Sequence, residues 1–148
     1  MKHEFKKKIV LNLKPAMPRN KVFIRYVNIV GMHYHAKTKD LTIDQPHVLK
    51  LEPDNKYDKK AVKVVDRING ETKAYLTRSS CSLIRPLLEM DLVYGDMFLK
   101  PKQPGKSVHN KVVQKCAIGF YATDQCTEMI RSLLKDSTLS LEVKPYKQ

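Results

Sequence analysis

The sequence predicts an α+β fold, mainly β: a small, partly closed β-barrel, OB-like or SH3-like, with two helices. Three observations lead there. Short runs of β-branched and aromatic residues recur along the chain, each bounded by Gly, Pro, Asn or Asp, as half-buried strands are. The pair Asn69-Gly70 separates two such runs and marks a tight hairpin. Helical periodicity is confined to two stretches, and many short strands with two helices favour a small barrel.

Residues 1–20 are lysine-rich and broken by Pro15 and Pro18, so they predict a flexible basic tail with at most one edge strand, at Ile9 to Leu13. A single domain is expected over 21–144, followed by a short tail, 145–148. The first strand, Lys21 to Val30, carries the β-branched or aromatic Val22, Ile24, Tyr26, Val27 and Ile29 and stops at Gly31. Strands follow at His47 to Leu51 and Ala61 to Val65, separated by the turn formers of Glu52 to Asp58; Thr72 to Leu76 returns from the Asn69-Gly70 turn. Ser79 or Ser80 can cap a short helix with Leu83, Ile84, Leu87 and Leu88 on one face, distorted by Pro86. Leu92 to Leu99 reads as a strand, Lys100 to Lys111 as a flexible basic loop, and Val112 to Tyr121 as a strand again. Thr123 caps an amphipathic helix with Asp124 and Glu128 near its positive end and Cys126, Met129, Ile130, Leu133 and Leu134 along one stripe. Thr138 to Val143 is the last strand. Tyr26, Tyr94, Phe98 and Phe120 lie inside strand-like runs and are assigned to the core.

Charge narrows the function. Against 15 Asp and Glu the chain carries 28 Lys and Arg, a formal net charge of +13, and such a field attracts nucleic acid, an anionic membrane surface or an acidic protein. A merely solubilising basic surface is the alternative. No apolar stretch approaches the roughly 20 residues of a membrane span, and Ile9 to Leu13 is too short for a signal peptide's apolar region. The three cysteines, Cys81, Cys116 and Cys126, are odd in number and unpaired in spacing, which fits reduced thiols in the cytoplasm or nucleus. His33 and His35 would share a face of an extended segment, but no carboxylate or thiol stands near them, so no metal or other cofactor is expected. Gly105-Lys106-Ser107 resembles the end of a phosphate-binding loop, yet Lys100 stands where the first glycine belongs. Asp54 and Asp58 have no further carboxylates to complete a cation site. No enzyme activity is expected.

Two stretches carry a family resemblance. Ile29-Val30-Gly31-Met32-His33-Tyr34-His35, and Leu49 to Leu88 with its Leu51-Glu52-Pro53-Asp54-Asn55-Lys56-Tyr57-Asp58-Lys59-Lys60-Ala61-Val62-Lys63-Val64 and Ala74-Tyr75-Leu76-Thr77-Arg78, resemble the HIRAN domain, an accessory module of DNA-repair remodelling enzymes and nucleases. The resemblance implies a non-catalytic barrel whose groove takes the 3′ end of single-stranded DNA. Carried over, Tyr34 and Tyr57 would be stacking rings and Asp58 would accept a hydrogen bond from the 3′-hydroxyl. Asn55 would help fix the terminal nucleotide, Tyr75, Arg78 and Lys59 would line the phosphate path, and His33 would be an eighth DNA-binding residue. This sequence departs from the pattern with His33 where relatives can carry arginine, His35 where they can carry a second tyrosine, and Lys56 where proline is common. It also has no aromatic in Ser107 to Gln114.

The chemistry is reasonable on its own terms. A base stacked on tyrosine contributes about 1–3 kcal/mol whatever the base. A 3′-hydroxyl is a donor that an internal phosphodiester lacks, so a fixed carboxylate can tell an end from the middle of a strand. Two plainer readings stay open: Asn55 and Asp58 as turn formers with Tyr57 folded back over the barrel, and Tyr34 as a core aromatic. Beside the DNA-end reading stand a peptide-binding groove and charge-driven binding of RNA or duplex. The expected state is a monomer with no membrane partner, working alone or within a larger repair or remodelling protein.

Overall fold

The computed structural model describes residues 19–145; the edge strand expected at Ile9 to Leu13 lies outside the described residues. Strand β1 (Asn20–Val30) sets the plan. Its buried side chains change parity midway, from Val22 and Ile24 to Val27 and Ile29. A regular strand puts residues two apart on one face, so an extra residue must intervene. It does: between Ile24 and Val27 the register against β7 (Lys111–Ala122) slips, and Tyr26 takes a left-handed φ of 69°. Tyr26 is therefore turned outward, 49% exposed, and does not join the core as its place inside a strand-like run predicts.

The bulge lets the two ends of β1 keep different neighbours. Asn20 to Arg25 pair with β8 (Ser140–Pro145), Asn20 to Ile29 run along β7, and Ile29 and Val30 reach β4 (Thr72–Leu76). The ring continues through β3 (Val62–Asp66), β2 (His47–Leu51) and β5 (Tyr94–Pro101) back to β7, antiparallel at every step. The mainly β barrel expected from the sequence is the observed fold, and its six-strand ring is closed. Closure leaves no open edge within the ring. Phe120, Ile118, Met97 and Leu99 fill it from β5 and β7. Phe120 is thus core as expected, whereas Phe98 alternates to the outside of β5 and is only partly buried, and Tyr94 is 38% exposed at that strand's start.

Among the described residues three helices accompany the barrel, one more than the periodicity predicts, because α1 (Met32–His35) is a single turn too short to show a period. Gly31 opens it at φ +85°, a conformation that disfavours any side chain. Helix α2 (Arg78–Glu89) is capped by Thr77, whose hydroxyl accepts from the Ser80 backbone N–H, and not by Ser79 or Ser80. It buries Ser80, Cys81, Ile84 and Leu87 and carries Pro86 in its last turn. Helix α3 (Asp124–Leu134) is capped by Thr123 as expected. Its buried stripe is Cys126, Thr127, Ile130 and Leu134; Met129 and Leu133 fall outside it.

The stretch predicted as a flexible basic loop, Lys100 to Lys111, is largely structured. β5 runs on to Pro101, and β6 (Lys106–Val108) forms a hairpin with the start of β7. Gln114, fully buried, explains the order: its amide accepts from the Leu41 N–H at 2.8 Å and donates to the carbonyls of Leu41 and Gln103 at 2.8 and 2.9 Å. One side chain thus ties two connecting segments to β7. The Asn69-Gly70 turn is wider than a two-residue hairpin, with Asp66 accepting from the backbone of Ile68, Asn69 and Gly70 before β4 begins.

Candidate functional site

The connection between β2 and β3 is built by its own side chains. Asn55 Oδ1 accepts from the N–H groups of Tyr57 and Asp58, both at 2.9 Å, and Asp58 Oδ1 accepts from the Lys60 N–H at 2.9 Å. Two Asx turns in succession fix the loop. Its base is closed by the bond from the Glu52 N–H to the Ala61 carbonyl. Asn55 is committed on its other side too, donating to Glu52, so the structure places it as the hub of the loop.

Glu52 joins the loop to the barrel. It accepts from the Tyr75 hydroxyl at 2.7 Å and faces the Lys63 ammonium at 3.4 Å. Partial burial works to raise the Glu52 pKa, but the hydrogen bonds from Tyr75 and Asn55 and the charge of Lys63 outweigh it and hold the carboxyl below its ordinary range. The Tyr75 hydroxyl, half-buried and bound to that carboxylate, is pushed up to about 12 and remains a donor. The His35 ring meets the Tyr75 ring edge-on, with centroids 5.0 Å apart.

Around this network lies a cleft of about 580 Å³ whose walls include His35, Glu52, Asp54, Asn55, Tyr57, Asp58, Tyr75 and Arg78. A second cleft, of about 490 Å³, adds Lys60, Ser82 and Arg85 and shares Tyr57, Asp58, Arg78 and Cys81 with the first. Together they form one trough running from α1 past the β2–β3 loop onto the first turns of α2. Arg78 opens α2, where the unpaired N–H groups and the helix dipole favour an anion.

The two aromatic rings singled out in the sequence stand in solvent. Tyr57 is 88% exposed, with the Lys56 ammonium 5.2 Å above its ring, and Tyr34 is 75% exposed on α1, edge-on to His33. Neither fills the core, and Tyr57 does not fold back. Of the eight site residues predicted, the trough collects Asn55, Tyr57, Asp58, Tyr75 and Arg78. His33, Tyr34 and Lys59 do not line it; Lys56 and Lys60 supply the lysines of its walls. His33 and His35 lie on a helical turn and not on an extended segment, and among the described residues no group of three His, Cys, Asp or Glu side chains is placed to hold a metal ion.

Glu52, His35 and Arg85 were not singled out as site residues. Glu52 had a sequence signal, since it opens the acid-proline-x-asparagine stretch; Arg85, seven residues beyond Arg78, shares its helix face. Cys81 lies in the wall as a buried thiol donating to the Lys60 carbonyl at 3.1 Å, and burial raises its pKa, which disfavours the thiolate.

Comparison with known proteins bears on the whole of this geometry. In fold, the chain is similar to the crystal structure of the HIRAN domain of human HLTF, with a TM-score of 0.60 and 18% identity over 79% of this chain and 91% of that one. It is likewise similar to the solution structures of the HLTF HIRAN domain, at a TM-score of 0.57, and of that domain in its DNA-bound conformation, at 0.54, each at 18% identity. The first of these covers 79% of this chain and 89% of that one, the second 75% and 89%. No curated protein matches the sequence. The HIRAN domain family matches residues 22–115, more than half of the chain and the span that holds the trough, and the chain belongs to that family.

Proposed function

We propose that this protein is a non-catalytic module that holds single-stranded DNA at a 3′-hydroxyl end. The observation that carries the reading is one loop presenting an exposed ring and a carboxylate side by side. Tyr57 and Asp58 are consecutive, both ordered by Asn55, and both line the trough. The ring offers a face for the terminal base. The carboxylate has one oxygen engaged by Lys60 N–H and its other oxygen to accept from a terminal hydroxyl. Tyr34, exposed on α1 one residue before the trough's His35, would be the second ring, and Lys56, Lys60, Arg78 and Arg85, the last also paired with Glu89, supply charge for the phosphates that follow, with Lys59 next in sequence to Asp58.

In a chain of net charge +13, a wall carrying Glu52, Asp54 and Asp58 is the feature that needs a reason; Glu52 is already held by Tyr75, Asn55 and Lys63, and Asp58 is the acid beside the exposed ring. At an internal nucleotide Asp58 faces phosphate and repels it; at a 3′-hydroxyl it meets a donor. The DNA-bound HLTF domain supports the ligand class by analogy of fold.

The test is fluorescence anisotropy with one short single strand carrying either a 3′-hydroxyl or a 3′-phosphate, in wild type and in Asp58→Asn. The variant keeps an acceptor for Lys60 N–H and removes the negative charge. Wild type is expected to favour the hydroxyl strand, and Asp58→Asn to close the gap mainly by binding the phosphate strand better. Equal binding of both strands by wild type refutes the end reading.

A further inference from the structure

A second surface lies on the other end of β1, sharing no wall residue with the trough. It is the outer face of four neighbouring strands, β8, β1, β7 and β5, and the register assembles it. Glu142 on β8 faces Phe23 on β1, Phe23 faces Gly119 on β7, and Gly119 faces Phe98 on β5. Directly opposed residues point to one face of a sheet, so two phenyl rings flank a glycine in one row. Gly119 has no side chain to fill the gap, and the Phe23 ring lies against it. The result is a groove of about 430 Å³ with an aromatic floor.

Its rim is basic. Lys21, Arg25, Arg67, Lys100, Lys102 and Lys144 line it, against one acid, Glu142. Arg25 and Lys144 pair with that acid, and Lys102 pairs with Asp44 at 2.6 Å. Lys21, Arg67 and Lys100 form no ion pair with a described residue. Two of these are held instead over rings: Lys21 stands 5.3 Å from the centroid of Phe23 and 5.7 Å from that of Tyr121, and Arg67 stands 5.7 Å above Phe98. Lys144 shares the Phe23 ring at 5.5 Å.

A ring fixes a cation without cancelling its charge, whereas a carboxylate does both. Cations parked on rings along a groove remain available to an anion with several charges in a row. We infer that this groove is a second nucleic-acid site, which takes an internal stretch of single-stranded DNA through its phosphates and without regard to a chain end. The contrast with the trough supports the assignment: no carboxylate stands here unpaired to select a terminal hydroxyl. The inference does not rest on the end-binding reading of the trough.

The experiment uses a covalently closed single-stranded DNA circle, which has no terminus to offer. Wild type is expected to bind it, with affinity falling steeply in salt. The combined Lys21→Ala, Arg67→Ala and Lys100→Ala variant is expected to weaken binding on the order of tenfold and to lower the salt slope by about 2, from about 0.7 per phosphate contact on a single strand. A control with Lys39, Lys111 and Lys135 changed to alanine removes the same charge from exposed positions outside both sites. Loss confined to the groove variant supports the site. Equal loss in both variants, failure of wild type to bind the circle, or equal capture of polyglutamate or anionic vesicles overturns it. The 3′-hydroxyl preference on a short strand is read separately: the groove variant retains it, so failure of one site does not masquerade as failure of the other.

Discussion

The trough and the groove both combine aromatic rings with cations, yet the trough mixes them with Glu52, Asp54 and Asp58 while the groove has one acid, and they are built by different means. The trough is made of connections: a single-turn helix, an Asx-locked loop and the start of α2. Its chemistry is placed one residue at a time, and it includes three acids, of which Asp58 adjoins the exposed ring. The floor of the groove is made by strand register, with rings from adjacent strands holding cations, and connections add Pro46, Arg67 and Lys102 to its rim. A locked loop can aim a donor or acceptor at one atom, as recognition of a chain end requires. A sheet face repeats its side chains at the strand spacing and suits a ligand that repeats too.

The largest loss is expected from Gln114→Ala, which leaves the Leu41 N–H and the carbonyls of Leu41 and Gln103 without their partner. About 3 kcal/mol of stability should go, seen in urea melts as a lower midpoint at unchanged slope. Binding at both surfaces should weaken only as far as the fold does, since Gln114 lines neither.

Tyr57→Ala separates the surfaces. Its ring is exposed, so stability should hold within about 0.5 kcal/mol, while affinity for a short 3′-hydroxyl strand should fall by about 1–3 kcal/mol. Circle binding, titrated in parallel, should not change.

Tyr75→Phe is subtler. It removes one donor to Glu52, worth about 1 kcal/mol. Glu52 has a lowered pKa in the folded state, so its contribution is present above its ordinary value of 4.5 and lost as pH falls through the depressed value. The variant should flatten the acid limb of a stability-against-pH curve in that window. A curve identical to wild type would remove Tyr75 from the loop's support.

The smallest effect belongs to the barrel beneath both sites. His47 is buried, and burial pulls its pKa below the ordinary 6.5 despite its bond to the Gln45 carbonyl. The unfolded chain then binds a proton that the folded chain refuses, so stability is full above 6.5 and declines as pH drops below it. His47→Asn should lose that slope in thermal melts between pH 7 and pH 5, whatever its cost at neutral pH.

The sequence made the strands and the α3 cap legible because alternation and capping are local signals, and Thr123 does what its position predicts. Asn55 and Asp58 were legible twice over, as turn formers and by family likeness, and they are both loop builders and trough residues. What stayed hidden depends on partners distant in sequence. The bulge that expels Tyr26 exists because β1 must serve β7, β8 and β4 at once. β6 and the order of the Lys100 to Lys111 segment depend on a glutamine buried in a neighbouring strand. Phe23, Gly119 and Phe98 are scattered along the chain, and only register brings them into one row.

The central claim is that an acid in a basic protein selects a chain end, and wild type alone can test it through the sign of one preference. A terminal phosphate adds negative charge, so attraction by net charge makes the 3′-phosphate strand bind more tightly than the 3′-hydroxyl strand, increasingly so at low salt. Recognition through Asp58 makes the hydroxyl strand bind more tightly at every salt concentration. Anisotropy titrations of the two strands across a salt series are predicted to show the second pattern; the first would contradict the account.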